Sequence, residues 1–354
     1  MGGTIMNLLK VMPKAELHIH LDGSVRAETI ISLAEEEGFT LPVHDPDQLR
    51  PYLQANDQCT SLTEYLSKFE LPLRCLQSAE GLRRVAYELV EDAHRDHVKY
   101  IEIRFAPLLH MEKGLTVKEI ISHVLDGIAE AERGFGTIAR LIIICLRSHP
   151  MEKNLDVVHA ASAFLGKGVA GMDLAGDEAA YPPEIHRKVF EQAHEYGFPI
   201  TIHAGEAAGA VNISESIRHL HAARIGHGVR LKEDAALMQW VKDHHVVLEM
   251  CPSSNVQTKA VESWSDHPIK EYFDQGIRVT VNTDNLTVSG TTLTEEYEKL
   301  MELYGFSVAQ FAEMNLNALQ ASFLESPEKL RLLDYFREEY QTLGLLTKPD
   351  LLIP

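Results

Sequence analysis

Eight short runs of strand-forming residues, most of them separated by helical patterns, constrain the fold of this chain more than any other feature. They lie near residues 15–21, 100–106, 140–146, 169–174, 199–203, 224–227, 246–250 and 278–282. The stretches between them include 183–196 and 233–243, where apolar residues recur at three- and four-residue spacing as on one face of a helix. Strands that alternate with helices build parallel βαβ units. Eight of them close most economically into an α/β, (β/α)8 TIM barrel. An open doubly wound sheet would place a glycine-rich phosphate loop after an early strand, and the sequence has none.

Two segments exceed the eightfold repeat. About 75 residues separate the first two strands, and 62–75 and 81–97 within them read as helices. This predicts a helical insertion after the first strand, at about 45–97. From Thr294 onward a charged, helical tail is predicted to run over about 294–354. With no Gly/Ser linker and no repeat, the expectation is one domain over 1–354. Formal charge is 33 − 52 = −19, a field that repels phosphate backbones and anionic bilayers, so neither nucleic acid nor membrane is an expected partner. The four cysteines, Cys59, Cys75, Cys145 and Cys251, form no C-x-x-C pair. Free thiols in a large chain fit a reducing cytosol. The start lacks an apolar signal core, Met6 breaks the myristoylation pattern, and the longest strongly apolar run is only 141–146. A cytoplasmic protein is expected, its oligomeric state left open.

The chemistry-bearing residues gather at strand ends. His18 and His20 alternate along the first strand, so both imidazoles face one side, at the barrel mouth where such folds do chemistry. Alone, H-x-H equally fits two ordinary histidines on a polar strand. The fifth strand, however, ends in TIHAGE, with His203 at the mouth and Glu206 beyond it. The sixth ends in RIGHG, with His227, and the eighth in VTVNTDN, with Asp284 and Asn285. Three imidazoles and a carboxylate suit zinc with one position open for water. His227 is open as a fourth imidazole ligand, but Asp284 is more versatile because it can also take a proton from that water. Glu206 is then free to donate a proton near the metal; its bland reading is a solvated loop carboxylate.

The blocks MPKAELHIHLDGS, GMDLAGDE, TIHAGE, RIGHG, CPSSN and VNTDN, in that order, resemble those of the adenosine deaminase family in the amidohydrolase superfamily, from about Pro13 to at least Leu324. The resemblance implies a zinc-dependent hydrolysis of adenosine, and of 2′-deoxyadenosine, to inosine and ammonia. It implies one Zn2+ per chain on His18, His20, His203 and Asp284. Glu206 would protonate purine N1, and His227 would partner the attacking water. His20, Asp22, Gly176 (through its backbone) and Asn285 would meet the nucleoside. Relatives often carry Asp-Asp where this chain has Asp284-Asn285; an amide NH2 donates to purine N7 without titrating, so Asn285 suits that role. The H-x-E and P-C-x-x-C pattern of cytidine-type deaminases is absent.

Alternatives within the superfamily are deamination of adenine or aminodeoxyfutalosine. A phosphotriesterase-like enzyme would need a lysine at the end of the fourth strand, where GMDLAG has none. A binding protein without activity would not need an acid beside a metal. Asp22 favours the nucleoside, since its carboxylate can accept from a ribose 5′-hydroxyl and repel a 5′-phosphate; its competing reading, shared with Ser24, is the N-cap of a helix beginning near Ala27. Elsewhere, Cys251 reads as a packed residue and His244 and His245 as surface residues. Glu102 and Arg104 read as an ion pair inside the barrel. The helix of Leu62, Tyr65 and Leu66 is either a lid over the substrate or ordinary packing.

Overall fold

The computed structural model describes residues 2–56 and 58–346, apart from the side chains of residues 2–5, 62 and 63. Residues 347–354 of the predicted tail, and the side chain of Leu62, lie outside the described residues. All eight predicted strands form: β1 (Lys14–His20), β2 (Val98–Phe105), β3 (Ile138–Leu146), β4 (Val169–Ala175), β5 (Thr201–Ala204), β6 (Arg224–His227), β7 (Val247–Met250) and β8 (Val279–Val281). They pair in parallel, β1 to β4 in one run and β5 to β8 in the other. Strands wrapped by helices bury both faces; β3 reads as a near-continuous apolar run, whereas β1 and β2 alternate apolar residues with buried polar ones such as Glu16, His18, Glu102 and Arg104.

Two narrow seams join the runs into a closed (β/α)8 barrel. At one, Met172 bridges Ile200, and Met172 N donates to Pro199 O at 3.0 Å. At the other, Ile19 bridges Asp284; His20 N donates to Asp284 O at 2.7 Å and Asp284 N to His18 O at 3.0 Å. The second seam is made by the main chain of three residues that the sequence marks for chemistry. Closure of the barrel and placement of those side chains are therefore one structural event.

Between β1 and β2 stand helices Ala27–Glu37, Pro46–Leu53, Leu62–Ser67, Glu70–Cys75 and Ala79–Arg95. The predicted helix over 62–75 is broken at Lys68 and Phe69 because Pro72 has no N–H to donate backwards. The helix restarts at Glu70, which puts Pro72 in a first turn, where the missing donor does no harm. Ala79–Arg95 packs against Val117–Phe135, with Ala86 beside Gly127 and the rings of Tyr87 and His94 against Phe135. Gly127 permits that approach, since a Cβ there would lie 2.1 Å from Arg83 O. Stretch 183–196 also splits, into a 3-10 turn Pro183–His186 and a helix Arg187–Glu195. The helices after β8 close the far end of the barrel. Asn315 Oδ1 accepts from Ala15 N at 2.7 Å, and Tyr340 donates to Pro13 O at 2.6 Å.

One expectation fails inside the barrel. Glu102 and Arg104 are both fully buried there, but they do not pair with each other. Arg104 donates to Asp173 and to Glu249, each at 2.9 Å, while Glu102 pairs with Arg224. Residues i and i+2 stand about 6.6 Å apart along a strand, whereas neighbouring strands are only about 4.8 Å apart, so partners across strands win.

Candidate active site

The predicted ligands converge at the C-terminal mouth. One donor atom from each of His18, His20, His203 and Asp284 lies within 4.8 Å of all the others. Asp284 Oδ1 is 3.4 Å from His18 Nε2 and 3.2 Å from His20 Nε2. The rings are held by carboxylates deeper in the barrel. His18 Nδ1 donates to Glu249 Oε2 at 2.9 Å, and His203 Nδ1 to Asp173 Oδ1 at 3.1 Å. With the proton fixed on Nδ1, each ring turns a lone pair on Nε2 into the site. His203 Nε2 also stands 3.3 Å from His20 Nε2, and His18 Nε2 has no well-aligned hydrogen-bond partner. Inward lone pairs this close fit a cation between them.

Burial, then the neighbouring His18 and His227, holds the His203 imidazole well below its usual pKa, in the neutral form a metal requires. Burial would raise the Asp284 carboxyl, but His18 and His20 outweigh it and hold it far below the carboxylate range. Its Oδ2 accepts from Ser254 Oγ at 2.6 Å. Both Asp284 (φ 62°) and His227 (φ 63°) are in the left-handed region. That conformation is uncommon for residues with a side chain, and it turns both toward the mouth.

A second set of donors, His18, His227, Cys251 and Asp284, is equally close-packed, but it fits a metal less well. Burial, then the charge of Asp284, pushes the Cys251 thiol well above its usual pKa, so it stays protonated. The tautomer of His227 is set by a chain of hydrogen bonds that begins on the backbone. Ile269 N donates to His267 Nδ1 (3.2 Å), His267 Nε2 to Asn255 Oδ1 (3.0 Å), and Asn255 Nδ2 to His227 Nδ1 (2.9 Å). An imidazole that accepts on Nδ1 carries its proton on Nε2. His227 Nε2 is thus a donor, 3.6 Å from Glu206 Oε2.

Glu206 is 8% exposed rather than solvated. Burial, then the charges of Asp284 and Glu178, pushes its carboxyl up to about 8, so it is protonated at neutral pH and able to act as an acid. It lines a cavity of about 350 Å3 with His20, Asp22, Gly176, Asp284 and Asn285, within the size range of small-molecule sites. Leu66, Phe69, Leu73, Leu109 and Ile144 form the apolar wall. The helix Leu62–Ser67 thereby covers the cavity, and Tyr65 accepts from Asn285 Nδ2 at 2.7 Å. No lysine or arginine lines the cavity among the described residues. A cleft of about 480 Å3 between Ala27–Glu37 and Ala79–Arg95 is larger but includes paired charges such as Arg26 and Asp92. Chemistry, not volume, selects the site.

Asp22 is 6% exposed, and its Oδ1 has no hydrogen-bond partner. It does not cap the following helix. Arg26 holds the N-cap position without a side-chain bond, and Ser24 Oγ accepts from Leu286 N instead. Gly176 has φ 107°, a conformation that favours glycine and leaves the backbone open to a ligand. The side chain of Asn285 packs onto Gly23, where a Cβ would lie 1.6 Å from Asn285 Oδ1. Glu249, Asp173, His267 and Glu178 escaped the sequence reading. Asp173 and Glu178 sit inside GMDLAGDE and Asn255 inside CPSSN, but nothing local marks Glu249 or His267. Cys251 is buried, and His244 and His245 are exposed, as expected. All four cysteines are free, and among the described residues no helix is long and apolar enough to cross a membrane.

Comparison with known proteins places the chain among purine deaminases. The family model described as adenosine deaminase matches residues 13–339. Over 329 residues the chain is 46% identical to an adenosine deaminase of Clostridium botulinum, covering 93% of this chain and 98% of that one. Among solved structures, an adenine deaminase from Arthrobacter aurescens is similar with a TM-score of 0.87 and 30% identity, covering 94% of this chain and 100% of that one. An amidohydrolase from Burkholderia ambifaria, solved with bound zinc, shares the fold with a TM-score of 0.88 and 24% identity, over 97% and 94% of the two chains.

Proposed function

The chain belongs to the adenosine deaminase family, and from that premise we infer that it hydrolyses adenosine to inosine and ammonia, with one zinc ion per chain as cofactor. The observation that carries the reading is a buried carboxyl, Glu206, raised to about 8 by burial and neighbouring charge, in one cavity with a three-imidazole, one-carboxylate cluster. His18, His20, His203 and Asp284 would hold the ion. When bound, zinc supplies a Lewis acid that acidifies water for attack on the purine.

The chain's own residues do the rest. Glu206 gives its proton to N1, which draws electrons from C6 and makes it electrophilic. His227 donates from Nε2 to the attacking oxygen and steadies the charge that develops there. Asp284 takes one proton from the water and passes it to the exocyclic amine. As C6–O forms and C6–N6 breaks, ammonia leaves with that proton, and the remaining hydroxyl proton restores Glu206. Water, substrate and acid balance without an external proton. Asp22 binds the ribose 5′-hydroxyl, Gly176 meets the purine through its backbone, and the second N–H of Asn285 serves N7.

Adenine is the competing substrate. It would leave the buried, unpartnered Asp22 carboxylate without a donor, and such a loss lets a site reject an analogue by about 10⁴-fold. A nucleotide would need a cation, and among the described residues no lysine or arginine lines the cavity. The test is ammonia release across adenosine, 2′-deoxyadenosine, adenine, AMP and aminodeoxyfutalosine, with metal analysis of the same preparation. Adenosine should give the highest kcat/KM. A higher value for adenine or AMP would overturn the nucleoside assignment, and a zinc-free active enzyme would overturn the cofactor.

A further inference from the structure

Behind Glu206 sits a second carboxylate that the reaction does not use. Glu178 lies in the loop after β4, is 2% exposed, and forms no salt bridge among the described residues. Its Oε1 accepts from Gly205 N at 2.7 Å and Asn212 Nδ2 at 3.1 Å. Its Oε2 accepts from the N–H groups of Glu206 at 3.0 Å, Ala207 at 2.8 Å and Ala208 at 3.2 Å. Four consecutive main-chain amides thus close on one carboxylate, an arrangement proteins otherwise use to hold anionic ligands. The convergence depends on the left-handed turn at Gly205 (φ 69°), where a Cβ would lie 2.5 Å from Ile213 Cδ1.

This exceeds what holding a surface loop requires. The bonded segment carries Glu206 itself, and Glu178 lies two residues beyond Gly176, whose backbone faces the same cavity. One side chain therefore ties the loop that meets the purine to the loop that protonates it. We propose that Glu178 is a positioning residue that sets the distance between the Glu206 carboxyl and the purine held at Gly176. The proposal rests on the reading of Glu206 as the acid. Glu178 touches no reacting atom; it acts on Glu206, by holding its main chain and by placing a negative charge near its carboxyl.

Glu178→Gln tests this with little change of volume. One acceptor oxygen becomes an NH2 group facing N–H donors, so one of the two bonded sets loses its acceptor and the loop shifts. A displacement of the order of 1 Å at a catalytic group costs about 10²-fold. The expected result is a kcat loss of that order, with KM changed much less and one metal per chain retained. The discriminating measurement is the same substitution in a Glu206→Gln background. A residue acting through Glu206 has nothing left to position there, so residual kcat should stay within about twofold. Glu178→Asp, which keeps both acceptor oxygens, should recover part of the kcat lost in Glu178→Gln. If Glu178→Gln does not fold, Asn212→Ala removes a single bond to Oε1 and should show a smaller loss with the same dependence on Glu206.

A near wild-type kcat in Glu178→Gln, an equal fold-loss in both backgrounds, or loss of bound metal alongside activity would each overturn the proposal. Wild-type kcat in Glu206→Gln alone would instead remove the acid assignment beneath it, so the two failures are distinct.

Discussion

Replacing Asp22 with Asn removes one buried charge while keeping the side chain's shape, and the structure sets how much each substrate should respond. The carboxylate is 6% exposed, its Oδ1 is unpartnered, and no lysine or arginine among the described residues lines the cavity to offset it. A hydrogen bond to a charged acceptor contributes about 1.5–3 kcal/mol, against about 0.5–1.5 for a neutral pair. Adenosine, donating its 5′-hydroxyl, should therefore lose about 1–1.5 kcal/mol, roughly tenfold in kcat/KM at about 1.4 kcal/mol per decade. A 5′-phosphate would meet the same carboxylate at about 4 Å, where one pair of like charges costs about 4 kcal/mol at an effective dielectric near 20. AMP should gain by up to about 10³-fold in Asp22→Asn, while adenine, with no ribose, should change by less than about threefold. Initial rates of ammonia release for the three substrates, on enzyme of equal metal content, give the comparison. An adenosine-to-AMP ratio that does not move would refute the placement of Asp22 at the 5′ end of the ribose.

Four further outcomes are expected. His18→Ala and His203→Ala should each lose most bound metal, measured by elemental analysis; full occupancy in both would remove them as ligands. Glu206→Gln should keep the metal and bind substrate while kcat falls about 10²–10⁴-fold. The proposed acid role needs Glu206 protonated, and its carboxyl is raised to about 8, so kcat/KM should hold below that pH and fall about tenfold per unit above it; activity still climbing past pH 9 would contradict the role. Arg224→Met should strip Glu102 and Glu249 of a cation inside the barrel and destabilise the fold by about 3–5 kcal/mol. Denaturant unfolding showing a loss under about 1 kcal/mol would mean the network carries little of the stability.

Much of the fold is legible because each barrel strand carries apolar residues for the helices around it, whether alternating with polar ones as in β1 and β2 or continuous as in β3. β6, with only the four residues Arg224–His227, stands where the pattern placed it. Helix 62–75 was legible as helical but not as broken, since its periodicity survives Pro72 while its hydrogen bonding does not. The ion pair expected between Glu102 and Arg104 illustrates the limit more sharply. Both residues face the interior as their spacing requires, but each takes its partner from another strand.

By itself, the sequence determined which residues reach the mouth. Strand alternation puts His18 and His20 on one side, and the ends of β5, β6 and β8 deliver His203, His227 and Asp284 to the same rim. Only the tertiary structure decided what each of them can do there. Glu249 and Asp173 orient the imidazoles of His18 and His203, the backbone of Ile269 sets the tautomer of His227 through two intervening side chains, and Glu178 anchors the loop of Glu206. The physical reason is that periodicity along a chain encodes the direction of a side chain, whereas the proton on an imidazole or carboxyl depends on charges and donors a few ångströms away. Those neighbours arrive from other strands, 231 residues along the chain in the case of His18 and Glu249, and become neighbours only when the barrel closes.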